Sequence, residues 1–316
     1  MSSRRALIAF AALAIVAGLA PLLAPYDPGR VFPGYPYAPP TRPHIVDAAG
    51  AWRAPFAYPI KMADPIERRY TEDRSRTLAW RSNEPWFLLG SDELGRDVLS
   101  RLLAGARLSL GVSLSAAVLA LLIGAGVGAV AGYAGGWTDV WLMRLADLVI
   151  VLPIIYVVLA LRGALPLELS VTEIFSALVA VFALVGWPSV ARGVRGIVVI
   201  ERNAEYAEAA RALGASGSRV VLRHLVPATR GFLGVQATLL VPAFIMAEAT
   251  LSFAGLGFMP PTASWGEMLQ NATNVRTLAD TPWLLAPAAA IVATVFVIHS
   301  VAGHQTYLRS SRLSPK

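Results

Sequence analysis

From Leu108 to Gly132 the chain carries no charged residue. The hydrocarbon core of a bilayer is about 30 Å thick and takes roughly 20 apolar residues of helix to cross. No water is available there to bond the backbone, so a spanning segment must satisfy its own amides, as a helix does. This run therefore dictates a membrane helix, and five others resemble it: Ala6 to Tyr26, Val140 to Leu161, Ile174 to Ala191, Gly231 to Phe253 and Trp283 to Ile298. The fold class read from the sequence is an all-α integral membrane protein with six transmembrane helices. Of the 316 residues 56% are hydrophobic and only 15% charged, which is too apolar for an ordinary soluble domain. Arg4 and Arg5 before the first run also suit a signal peptide. The run is long for one, and Pro21 to Pro28 offers no small-x-small cleavage site, so a retained first span is expected.

The formal net charge of +7 raises nucleic acid as a partner, but the basic residues argue against it. Nearly all are arginines, Lys61 and Lys316 being the only lysines, and they flank apolar runs rather than interleave with aromatics. Membrane proteins retain such charge on the cytoplasmic side. With both termini inside, Arg4, Arg5, Arg144, the seven arginines from Arg192 to Arg230, and Arg309, Arg312 and Lys316 fall inside, while the short outer turns keep Arg162 and Arg276. The protein contains no cysteine, so disulfides and thiolate chemistry are excluded. His299 and His304 lack a third ligand, and no metal site is expected. No G-x-x-x-x-G-K-[ST] run is present, so this chain is not expected to hydrolyse ATP.

Between spans, residues 27-107 form a long segment rich in Pro, Tyr, Trp and both charge signs. It is expected outside the cytoplasm, irregular at first and ending in a capped interfacial helix. The second span is dense in small residues, Gly124, Gly126, Gly128, Ala129 and Gly132, which let helix backbones approach closely. In the third span Arg144 and Asp147 stand three apart and can pair on one face, or serve a transport path. Pro153 is expected to kink this span, and Trp187-Pro188 to mark the inner end of the fourth. Glu248 is the one carboxylate deep in the fifth span, a functional candidate because buried charge in lipid is costly. It is expected to line a path or to bond backbone at an interface.

The 192-230 stretch is the one long basic segment between two spans. Tyr206, Ala209, Ala210 and Leu213 fall at i, i+3, i+4 and i+7, one small apolar stripe on a short helix. Gly214 suits a left-handed helix stop. Ser216 or Ser218 can cap a second helix carrying Val220, Val221 and Leu225 before Pro227. Two short helices with a glycine hinge make an elbow fit for docking a partner; the bland alternative is a basic loop that sets topology. Arg202, on the polar side, is expected to matter little.

Glu208-Ala209-Ala210, Gly214 four residues after Ala210, and Pro227 thirteen further on resemble the EAA loop of bacterial ATP-binding-cassette importer permeases. Leu89-Gly-Ser-Asp-Glu-Leu-Gly-Arg-Asp-Val-Leu-Ser-Arg-Leu102, Ala-Glu248-Ala-Thr-Leu-Ser-Phe and Pro260-Pro-Thr-Ala-Ser-Trp-Gly266 are similar to motifs of the dipeptide, oligopeptide and nickel class, in its second (C-type) transmembrane subunit. The resemblance spans Leu89 to Trp283. It implies one added N-terminal helix (1-26), the extracytoplasmic segment (27-107), a five-helix permease core (108-303) and a cytoplasmic tail (304-316) in the inner membrane. It implies that Tyr206, Glu208, Ala209, Ala210, Leu213, Gly214 and Pro227 couple the chain to ATPases. It also implies a heterodimer with a second permease, two cytoplasmic ATPase subunits holding ATP and Mg, an extracytoplasmic solute-binding protein and surrounding lipid, with no cofactor on this chain. The chain departs from the family pattern at Ser300-Val-Ala-Gly-His-Gln305. A secondary transporter using Glu248 and Asp147 as proton sites is the rival reading, and it predicts inverted repeats that are not evident.

Overall fold

The computed structural model describes residues 15, 18–46, 51–64, 69–78, 84–164, 169–273 and 275–313. Most of the first expected span lies outside them; its described end is a short helix, α1 (Ala20–Leu23). The chain divides into two compact units. One is built on Gly111–Glu248 with Phe296–Lys316, the other on Ile8–Leu110 with Ala249–Val295.

Among the described residues four helices are long and apolar enough to cross a membrane: Val98–Ala134, Val171–Glu201, Arg230–Phe253 and Pro282–Ser300. The third expected span is not one helix. Leu152 is extended at ψ 116°, as the residue before a proline prefers to be, and Pro153 separates α3 (Gly136–Val151) from α4 (Ile154–Ala164). The expected kink is a break.

In the first unit, α2 (Val98–Ala134) and α5 (Val171–Glu201) meet along a glycine seam. A Cβ on Gly124 would stand 2.7 Å from the Trp187 carbonyl, one on Gly128 2.9 Å from Val194 Cβ, and one on Gly132 2.9 Å from the Arg195 carbonyl. The four-residue glycine spacing thus serves a contact within the chain. On its other side Gly186 lets Phe244 of α9 (Arg230–Phe253) approach, and Phe182 and Phe244 stack with ring centroids 5.3 Å apart. Ala146 and Val149 of α3 pack against Trp187 and Ala191. Helix α5 opens with a capping box, in which Ser170 Oγ accepts from the Glu173 amide and Glu173 accepts from the Ser170 amide. It then runs through Pro188 to Glu201. The helix itself does not stop at Trp187-Pro188: Trp187, Pro188 and Val190 are buried, and this packing offsets the hydrogen bond that the proline removes.

The second unit corrects the expectation of an irregular segment. Two antiparallel hairpins form, β1 (His44–Val46) with β2 (Trp52–Phe56), and β3 (Ile60–Asp64) with β4 (Arg69–Glu72). His44 pairs with Phe56 in the first, and Met62 with Tyr70 in the second. Tyr26, Phe32, Ala38, Ile60 and Phe87 form the core beneath them. The expected interfacial helix is likewise replaced. Residues 89–97 are a glycine-turned loop, and the helix that follows is α2 itself, continuous from Val98 into the membrane.

Candidate functional site

The elbow is built as the spacing requires. Helix α6 (Glu205–Ala212) follows α5 after a three-residue turn. It stops in a Schellman motif: Gly214 has φ +81°, its amide donates to the Arg211 carbonyl at 2.9 Å, and the Ala215 amide donates to the Ala210 carbonyl at 3.0 Å. These bonds satisfy carbonyls that a helix end otherwise leaves open. Ser216 takes the N-cap position of α7 (Gly217–Val220) by backbone angle, but its side chain makes no cap bond. A π-turn, Val221–Leu225, joins α7 to α8 (Val226–Ala228). Pro227 sits within this continued helical path and does not end it. Val220 and Leu225 are fully buried, anchoring the second arm.

The stripe is divided in a way its periodicity did not show. The one buried residue of α6 is Ala207; Ala210 is half-buried. Tyr206, Glu208, Ala209 and Leu213 are exposed, Leu213 at 90%. Beside this face lies an open groove lined by Glu201, Tyr206, His224, Pro227, Ala228 and Arg230. There Tyr206 Oη donates to Glu201 at 2.5 Å. Burial and this carboxylate push the phenol up to about 12, so it remains a donor at any working pH.

The 89–102 motif and the Pro-Pro-Thr-Ala-Ser-Trp-Gly segment meet in the second unit. Asp92 accepts from the amides of Leu94 (3.0 Å) and Arg96 (2.9 Å) and from Arg96 Nε (2.7 Å). Arg101, 1% exposed, donates to Glu267 at 2.6 Å. Ser264 caps α10 (Trp265–Leu269), and Trp265 donates through Nε1 to the Leu102 carbonyl at 3.0 Å. Asp97 caps α2 by accepting from Ser100 amide and hydroxyl, at 2.7 and 2.6 Å. Burial raises Asp97 to about 6 and also raises Glu267. Asp92, Asp97 and Glu267 each hold a structural bond here, and no group of three metal-ligating side chains occurs among the described residues.

The expected Arg144–Asp147 pair is not made. Arg192 of α5 takes Asp147 instead, and Arg195 holds Asp139 with two bonds, at 3.0 and 2.5 Å. Arg144 is exposed. Glu248 is fully buried within α9.

The family of inner membrane components of binding-protein-dependent transport systems matches residues 124–309. This chain belongs to that family. As a family member it is a multi-pass inner membrane protein, and its glycine seam, α5 and the whole elbow lie inside the matched region. It is 41% identical over 238 residues to the oligopeptide transport system permease protein OppC of Bacillus subtilis, covering 73% of this chain and 74% of the relative. The dipeptide transport system permease protein DppC of the same species is 40% identical over 220 residues (69% and 66% of the two chains), and the OppC of Escherichia coli K12 is 40% identical over 216 (67% and 68%). Arg202, expected on the polar side of the elbow helix, is instead the C-cap of α5 and reaches the end of α2. The signal that reveals it is three-dimensional: Gly132 and Tyr133, its acceptors, lie about seventy residues away in the chain.

Proposed function

We propose that the chain is the C-type permease subunit of an ATP-driven importer of peptides or a related small solute. Helix α6 is its coupling helix. The observation that carries this is the exposed Tyr206–Ala209–Leu213 face on a helix whose stop at Gly214 is fully bonded, a formed surface with no cover. The relatives named as peptide permeases support the substrate class. In this reading the elbow and both termini are cytoplasmic, and the hairpin-bearing segment is extracytoplasmic. The chain pairs with a second permease, and two ATPase subunits, holding ATP and Mg, receive the elbow. An extracytoplasmic binding protein delivers solute, and lipid surrounds the spans. ATPase closure pushes the elbow, and the permeases rock about a central path. Glu248 serves that path or the permease interface.

The test is Leu213→Asp, made at an exposed site where folding is spared. Burying a carboxylate in an ATPase groove costs several kcal/mol. The variant is expected to insert and pair with the second permease yet lose its ATPase subunits on purification. Retention of the ATPases at wild-type level sinks the coupling assignment.

A further inference from the structure

We infer that Arg202 is a positioning residue that locks the coupling elbow to the end of α2, so that the two move as one body. The inference rests on α6 being the coupling helix. Arg202 is the C-cap residue of α5. Its Nη1 donates to the carbonyls of Gly132 at 2.9 Å and Tyr133 at 3.3 Å. These belong to the last turn of α2, where carbonyls lack helical partners and the helix dipole favours a cation. Gly135 turns the chain there with φ +64°, and a Cβ on it would stand 3.2 Å from Arg202 Nη1, so the guanidinium fills the bend between α2 and α3. From the other side, Arg211 of α6 donates through Nη2 to the Arg202 carbonyl at 2.7 Å.

One residue therefore touches the end of α2, the start of α3, the end of α5 and the coupling helix. A second contact runs parallel to it. A Cβ on Gly217, at the start of α7, would lie 3.0 Å from the Tyr133 hydroxyl, so that ring rests directly on the elbow's second arm. Arg195 then ties Asp139 in the first turn of α3 to α5. Helix α6 buries only Ala207, so apolar packing alone holds it weakly and the polar lock carries the displacement. Both carbonyls accept from the one nitrogen Nη1, so a lysine, with its shorter reach, replaces the contact only in part.

The chain has no cysteine, so Val130→Cys on α2 and Ala212→Cys on α6 give a pair unique within this chain at exposed positions, spin-labelled on the purified permease before its partners are added. The distance distribution is recorded in the assembled transporter with its ATPases, without nucleotide and with ATP and vanadate. With Arg202 present, the distribution is expected to stay narrow and centred in both states. Arg202→Ala is expected to at least double its width and shift it on ATP, with ATPases still bound; Arg202→Lys falls between. Should Arg202→Ala fail to assemble, Arg211→Ala, which leaves the α2 cap intact, is expected to show the same broadening. A narrow, unshifted distribution in the assembled Arg202→Ala protein, or in Arg211→Ala where the first is lost, overturns the lock. The coupling assignment is judged separately: if Leu213→Asp releases the ATPases while Arg202→Ala keeps the narrow distribution, the lock alone fails.

Discussion

Replacing Arg101 by methionine should damage the second unit far more than replacing its partner Glu267 by glutamine. The two side chains are 1% and 2% exposed and 2.6 Å apart. Beside them stand Asp92 and Arg96, also buried, Asp92 reaching Arg96 at 2.7 Å and Arg101 at 3.5 Å. Arg101→Met leaves Glu267 with no ion-pair partner among the described residues. Glu267 must then stay charged without its partner or take a proton. From a glutamate's ordinary 4.5, protonation at pH 7 costs about 3 kcal/mol, and breaking a buried pair from one side costs roughly 3–5 kcal/mol. Glu267→Gln instead leaves Arg101 with Asp92 at 3.5 Å, and its amide oxygen still accepts from Arg101. Its cost is about 1 kcal/mol, that of a weakened hydrogen bond. Thermal unfolding of the purified permease in detergent reads the difference. The midpoint is expected to fall by roughly 10 °C for Arg101→Met and by a few degrees for Glu267→Gln. Equal losses, or the reverse order, refute the argument that Glu267 depends on Arg101 more than Arg101 depends on Glu267.

The acid Asp97 has its folded value raised by burial from 3.8 to about 6. The folded state thus holds its proton more tightly, and stability falls as pH rises from about 4 through 6, by up to roughly 3 kcal/mol. Unfolding midpoints between pH 4 and 7 should show this decline, and Asp97→Asn should flatten it. Gly128→Val drives a side chain into Val194 at a site where a Cβ already stands 2.9 Å away; it is expected to abolish recovery of folded permease, whereas Gly126→Val, with open space around it, should be recovered normally. Glu248→Gln is expected to keep assembly and transport if the carboxylate bonds backbone; transport lost with ATPase coupling intact assigns it to the path.

Local rules read the elbow's stop and the membrane helices well, because they act over a few residues. Gly214 ends α6 as its position predicts, and the apolar runs find α2, α5, α9 and the last span. What escaped was decided at long range. The i, i+3 spacing of Arg144 and Asp147 offered a pair, but Arg192, 45 residues on, takes the carboxylate. The hairpins were hidden by Pro55 within β2, a residue that ordinarily demotes a strand, and by the prolines before it. The stripe of α6 was legible as a helix face, but not that Ala207, one step off it, is the residue turned inward.

Helix α5 runs unbroken from its Ser170 cap to Glu201, about 46 Å at 1.5 Å per residue. Its one missing amide, at Pro188, falls where the Trp187 carbonyl faces Gly124 and Gly186 faces Phe244. The place where such a rod bends most easily is therefore the place where it is gripped from both sides. A force applied at the Glu201 end is then passed along the shaft rather than absorbed in a bend at Pro188.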